Sequence, residues 1–102
     1  MNDKIHTKSV DAMFDAVLSL KDREECYRFF EDLATVNELL SLSQRFEVAG
    51  MLKSGHTYQD IAEKTGASTA TISRVNRALN YGRDGYEMIF ERLEIPDEWK
   101  VK

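Results

Sequence analysis

Six side chains within one short segment, Gln59 to Gly82 (QDIAEKTGASTATISRVNRALNYG), are of the types that read a nucleic-acid groove: Ser68, Thr69, Ala70, Ser73, Arg74 and Arg77. Serine and threonine hydroxyls bond phosphates or base edges. An alanine or a threonine methyl can lie against the thymine methyl, and arginine pairs with guanine or phosphate. Small side chains let a helix N-terminus sit deep in a major groove, where its dipole favours a nearby phosphate. Thr71 is taken with this DNA-facing set. No acidic residue occurs between Glu63 and Asp84. Thr57 and Gln59, placed to open the preceding helix, are positioned to grip the backbone. Plainer roles exist for two of these residues: Ser68 as a helix N-cap, and Arg77 as a solvated surface arginine.

These residues need two short helices at a sharp angle. Ile61 and Ala62 fall on the inner face of the first, predicted near 58–65, and Ala62 is small enough for close helix approach. Gly66 can adopt the left-handed backbone that turns the chain. Ile72, Val75 and Leu79 then face inward from the second helix, predicted near 69–80. A small residue, a glycine and spaced inward aliphatics are what a helix-turn-helix requires. Thr65 stands where an aliphatic is more usual. On pattern alone an ordinary corner between two helices is the alternative.

The remaining periodicity is helical too. SVDAMFDAVLSL places Val10, Met13, Phe14, Val17, Leu18 and Leu20 on one broad apolar face, and DREECYRFFEDLA does so with Cys26, Tyr27, Phe29, Phe30 and Leu33. Asp22 with Glu25, Thr35 with Glu38 and Ser41 with Gln44 have the spacing of capping boxes. They predict a helix from residue 23, a short one near 36–40 and another near 42–54 that Gly55 ends. Thr57 and Ser68 are N-caps for the two motif helices, and Gly66 stops the first. Asp84 with Glu87 would begin a last helix near 85–94, which Pro96 bars from continuing. No period-2 run of β-branched residues appears. The chain of 102 residues reads as one all-α domain of about six short helices. Residues 57–80 are expected to form the helix-turn-helix and 85–94 the C-terminal helix, with residues 1–54 expected to serve mainly dimerisation.

Charge is uneven. Residues 1–41 carry nine acids and five bases, 42–86 six bases and four acids, and 87–102 five acids and three bases, so only the middle is net positive in a chain of net charge -4. An acidic total argues against loose, non-specific nucleic-acid binding but leaves room for a local basic face. No apolar run approaches the roughly 18 residues of a membrane span, and the N-terminus lacks the pattern of a signal peptide. A cytoplasmic protein without membrane contact is expected. The single cysteine, Cys26, allows no internal disulfide and reads as a buried hydrophobe. Two histidines and one cysteine far apart give no zinc-ligand spacing, so neither metal nor cofactor is expected.

The first two helices carry Phe14, Tyr27, Phe29 and Phe30, more aromatic bulk than short helices of about ten residues each can enclose. Either the monomer has a tight core, or these helices bury against a second copy. DNA readers of this size often dimerise, because two half-sites one turn apart double the contact.

GASTATISRVNRALNYG, with SLSQRFEVAGMLKSG upstream, resembles the Trp repressor superfamily over roughly Leu39 to Leu79. LKDREECYRFFEDLATVNE and NYGRDGYEMIFERL extend the likeness, over most of the chain, to the Trp-repressor-like group labelled YerC/YecD. The resemblance implies an intertwined all-α homodimer with interlocking N-terminal helices, and a transcriptional regulator of double-stranded DNA. The Trp repressor holds its amino acid between two arginines, which match Arg45 and Arg74, and Thr71 matches a threonine of that site. These three residues form a candidate effector pocket. Val75 stands where the Trp repressor has glycine, and Ala78 where it has serine. The valine would intrude on the ligand space, and the alanine removes a donor. Each change costs roughly 1–3 kcal/mol against a micromolar affinity worth about 8 kcal/mol. Tryptophan is therefore not the expected effector, and any small-molecule effector is a different one.

An enzyme finds no support: there is no glycine-rich phosphate loop and no Ser/His/Asp arrangement in the needed context. The competing function is a helix-turn-helix serving as a protein-interaction module of a transcription complex. His56, beside Gly55, reads as a surface residue, Tyr58 as cover for the motif's flank, and Trp99 as an anchor or part of a disordered tail.

Overall fold

A computed structural model describes residues 3–102. Among the described residues there are six α-helices and no strand: α1 Lys8–Leu18, α2 Arg23–Leu33, α3 Val36–Ser54, α4 Tyr58–Thr65, α5 Thr69–Tyr81 and α6 Gly85–Arg92, with short 3₁₀ turns at Asp3–Ile5 and Asp97–Trp99. No helix among them is long and apolar enough to cross a membrane. The chain divides into two compact units, residues 1–39 and 40–102.

In the first unit the helix starts follow from local hydrogen bonding. Thr7 Oγ1 accepts from the Val10 N–H to cap α1, and an Asp22 carboxylate oxygen accepts from the Glu25 N–H to cap α2. Glu25 reaches back to the Lys21 N–H. At the start of α3 the box is reciprocal: Thr35 Oγ1 accepts from the Glu38 N–H, while Glu38 accepts from the Thr35 N–H. Those bonds, the backbone one foremost, hold the Glu38 carboxyl below its ordinary range. Phe29 and Phe30 meet edge to face, their centroids 5.5 Å apart. Neither α1 nor α2 contains a buried residue. Leu18 is 82% exposed and Phe14 53%, and Tyr27 and Leu33 are also open to solvent. Cys26, expected to be a buried hydrophobe, is exposed, because it lies on the open side of α2.

The second unit holds the core: Val48, Ala49 and Met51 of α3, Ile61 of α4, Ala67 of the turn, and Ile72 and Val75 of α5. Tyr86 and Phe90 of α6 and Trp99 of the tail pack against it. Phe46 stacks on Phe90 at 5.3 Å and meets Trp99 edge-on at 5.5 Å. Trp99 is thus an anchor, and its indole crosses α3 at Gly50. A Cβ on Gly50 would come within 2.5 Å of Trp99 Cε3. The Val101 N–H donates to Ser54 Oγ and holds the tail along the end of α3.

Three expectations are corrected here. The helices predicted near 36–40 and 42–54 are one 19-residue helix. Nothing between Leu39 and Leu42 breaks it, and Gln44 is engaged elsewhere instead of closing a box with Ser41. The predicted Asp84–Glu87 box does not form. Asp84 adopts a left-handed backbone (φ 61°) with no side-chain cap bond, and Glu87 pairs with Lys53 of α3. Finally, α6 ends at Arg92, two residues before the expected Glu94, because Leu93 is already extended (φ -127°).

Candidate nucleic-acid interface

α3 ends in a Schellman arrangement. The His56 N–H donates to the Met51 carbonyl and the Gly55 N–H to the Leu52 carbonyl, with Gly55 at φ 100°. His56 is not the surface residue expected. Its side chain is 5% exposed, with Nδ1 4.0 Å from an Asp60 carboxylate oxygen. Thr57 follows as N-cap of α4, its Oγ1 accepting from the Asp60 N–H at 3.1 Å.

The turn between α4 and α5 is built from Thr65 and Gly66. Gly66 takes φ 73° and closes α4 with its N–H on the Ala62 carbonyl. Thr65 does here what an aliphatic could not: its hydroxyl donates to the Ile61 carbonyl at 2.7 Å and accepts from the Ala67 N–H at 3.1 Å. The Thr65 carbonyl accepts from Gln44 Nε2 of α3 at 3.1 Å. Three of the turn's polar groups are therefore satisfied by side chains, two of them from Thr65 itself. Gly66→Ala should lower stability by about 1–2 kcal/mol through left-handed strain alone, since no atom lies near the added methyl. Chemical denaturation would read this as a lower midpoint at unchanged slope.

Ser68 caps α5, its Oγ accepting from the Thr71 N–H at 3.1 Å, and its hydroxyl donates to Thr71 Oγ1. From that cap the helical period separates two faces. Ile72, Val75 and Leu79 turn into the core or against it. Ser68, Thr69, Ala70, Arg74 and Arg77 are exposed, and Ser73 and Thr71 are half-buried at the edges. No ion pair among the described residues engages Arg74 or Arg77. Thr57 and Gln59 are exposed at the start of α4. Tyr58 is 37% exposed beside them.

The candidate effector residues are split between helices. Arg45 is half-buried on α3, Arg74 is exposed on α5, and Thr71 is tied to Ser68. Val75 is 2% exposed and belongs to the core. Ala78 lies on the wall of an open apolar groove of about 510 Å³, with Phe46, Arg83, Tyr86, Met88 and Ile89. The sequence pattern does not anticipate the parts taken by Gln44, which bonds the Thr65 carbonyl, and by Tyr81, exposed at the end of α5. Gln44 offers only a capping-box spacing that points to Ser41 and not to the Thr65 carbonyl, and Tyr81, four residues after Arg77, is hidden by Gly82, which reads as loop.

This arrangement has known counterparts. The family model described as Trp repressor protein matches residues 8–94. YerC, an uncharacterized protein of Bacillus subtilis, is 61% identical over 92 residues, covering 90% of this chain and 88% of its own. A TrpR-like protein from Eubacterium eligens has a solved structure that superposes with a TM-score of 0.91 at 63% identity, covering 99% of this chain and 100% of its own. A solved structure from Staphylococcus aureus does so with a TM-score of 0.89 at 55% identity, covering 93% and 96%.

Proposed function

The chain belongs to the Trp repressor family, and from that premise we propose that it is a cytoplasmic, sequence-specific DNA-binding regulator of transcription. It acts as a homodimer and does not respond to tryptophan. The observation that carries this reading is the exposed face of α5. Ser68, Thr69, Ala70, Arg74 and Arg77 form a small, acid-free, positively charged surface directly after a well-capped helix start. Such a surface suits insertion of the helix N-terminus into a major groove, with hydroxyls and arginines reaching base edges and phosphates. Thr57 and Gln59 at the start of α4 then approach the flanking backbone. The buried Val75 supports the loss of tryptophan response. Val75 is 2% exposed and belongs to the core, and the resemblance to the Trp repressor implies glycine and ligand space at that position.

The test is selection from a pool of the host's genomic fragments at about 150 mM salt, near physiological ionic strength. The expected result is enrichment of a pseudo-palindrome with half-sites about one helical turn apart. Added tryptophan should leave that enrichment unchanged. Arg74→Ala should weaken the selected site by about 10- to 100-fold, the discrimination that one good arginine contact supplies. Absence of any enrichment, with and without cell extract, would overturn the reading in favour of a protein-interaction module.

A further inference from the structure

We infer that Tyr81 is a DNA-backbone positioning residue at the trailing end of α5; the inference rests on the function proposed above. Ala70, Arg74, Arg77 and Tyr81 follow one another at i, i+4, i+7 and i+11, which places them on one stripe of the helix. That stripe lies opposite Ile72, Val75 and Leu79, the side that faces the core. Tyr81 is 85% exposed, the most exposed large apolar side chain among the described residues. Every other residue on the stripe is small or cationic.

The position is held firmly. The Gly82 N–H closes the last turn on the Ala78 carbonyl, and a Cβ on Gly82 would collide with that same oxygen. Glycine is therefore what allows the chain to leave the helix immediately after Tyr81. The phenol stays exposed on the last helical turn, with the exposed Arg77 one turn before it and the exposed Arg83 two residues after it in the chain.

The chemistry of such a contact follows from its place. Tyr81 lies about 16 Å along the helix axis from Ala70. When the N-terminal half of α5 is in a groove, the C-terminal half rises past the groove edge, where sugars and phosphates lie. The helix dipole there is negative and repels phosphate, so a contact needs a neutral donor with cationic neighbours. A tyrosine hydroxyl donates to a phosphate oxygen while its ring covers the sugar, and the two arginines offset the dipole. This contact carries register, not sequence information.

The experiment measures binding of Tyr81→Phe, Tyr81→Ala and Arg77→Ala to the selected site and to single-base variants of it, over a range of salt. Tyr81→Phe should weaken all sequences alike by about tenfold, the loss of one hydrogen bond to a charged group. Tyr81→Ala should weaken them a few-fold more. Because the phenol is neutral, both should keep the wild-type log–log salt slope, whereas Arg77→Ala should make it shallower by about 0.9. Thermal melting and sedimentation should show both tyrosine variants folded and in the wild-type oligomeric state. Wild-type affinity in both variants would overturn the inference and leave the proposed function standing. So would a loss confined to one base position, or a change of oligomeric state. Failure of the wild-type protein to bind any DNA would overturn the functional reading itself, and the inference with it.

Discussion

Gly50→Val should lower stability by about 3 kcal/mol, at the upper end of the usual range for overpacking a core. In a domain of this size that corresponds to a melting temperature lower by roughly 12–20 °C. Two effects oppose each other at this position. Glycine in a helix interior is about 1 kcal/mol less favourable than alanine, so α3 would be a better helix without it. Yet Gly50 is buried, and a Cβ there would meet Trp99 Cε3 at 2.5 Å, Trp99 Cζ3 at 3.1 Å and Phe90 Cζ at 3.5 Å. The indole cannot yield cheaply, because Phe46 meets it edge-on and the Val101–Ser54 bond fixes the chain just beyond it. The clash therefore outweighs the gain in helix propensity. Trp99 is the only tryptophan, so its fluorescence reports the same event. Displacement should shift emission to the red before global unfolding. A double-mutant cycle makes the mechanism falsifiable. In a Trp99→Leu background, Gly50→Ala should turn from destabilising to stabilising by about 1 kcal/mol, the propensity gain alone. A penalty of the same size in both backgrounds would mean that the indole is not what excludes a side chain at Gly50.

Phe14→Asp should convert the protein to a monomer and weaken binding to a two-half-site operator by more than about 100-fold, the advantage that linking two reading heads supplies. In an isolated chain this substitution would matter little. Phe14 is 53% exposed, and exposed substitutions usually change stability by about 0.5 kcal/mol or less. A large effect on assembly therefore requires that something outside the chain cover the side chain. Phe14 does not stand alone, since Leu18 one turn later is 82% exposed and Tyr27 and Leu33 of α2 are open too. Phe14 and Leu18 fall on one face of α1, and large apolar side chains exposed together in this way mark an interaction surface. Sedimentation equilibrium across a concentration series checks the outcome. A variant that stays dimeric, with unchanged affinity for the operator, would remove this face from the interface.

The parts of the fold that are legible in the sequence are those decided within four residues. Thr57, Ser68 and Gly66 cap or stop their helices by bonds to their own neighbours, so side-chain type and spacing are enough. Gly55 is of the same kind. The inward set Ile61, Ile72 and Val75 is legible because a 3.6-residue period leaves one apolar stripe on each motif helix. What misleads is competition from distant partners. Ser41 and Gln44 have capping-box spacing, but Gln44 finds the Thr65 carbonyl 21 residues away, and α3 runs straight through. Glu87 likewise leaves Asp84 for Lys53, 34 residues off. His56 and Cys26 exchange their expected environments for a related reason. A single polar or apolar residue carries no periodicity, so its burial is set by what packs over it. For the candidate interface, the exposed stripe of α5 is readable as far as Arg77, and its continuation to Tyr81 is hidden by the glycine after it, which reads as loop.

The absence of buried residues in α1 and α2 has a consequence for abundance. These two helices have no interior of their own to close over. In a homodimer their order is a bimolecular event, so each tenfold dilution withdraws about 1.4 kcal/mol from assembly. Newly made chains at low copy number would then present apolar helices to the cell's proteases, while chains above the assembly threshold would be protected. The concentration of the protein would set its lifetime as well as its occupancy, giving a sharper on–off dependence on synthesis rate than a stable monomer could provide.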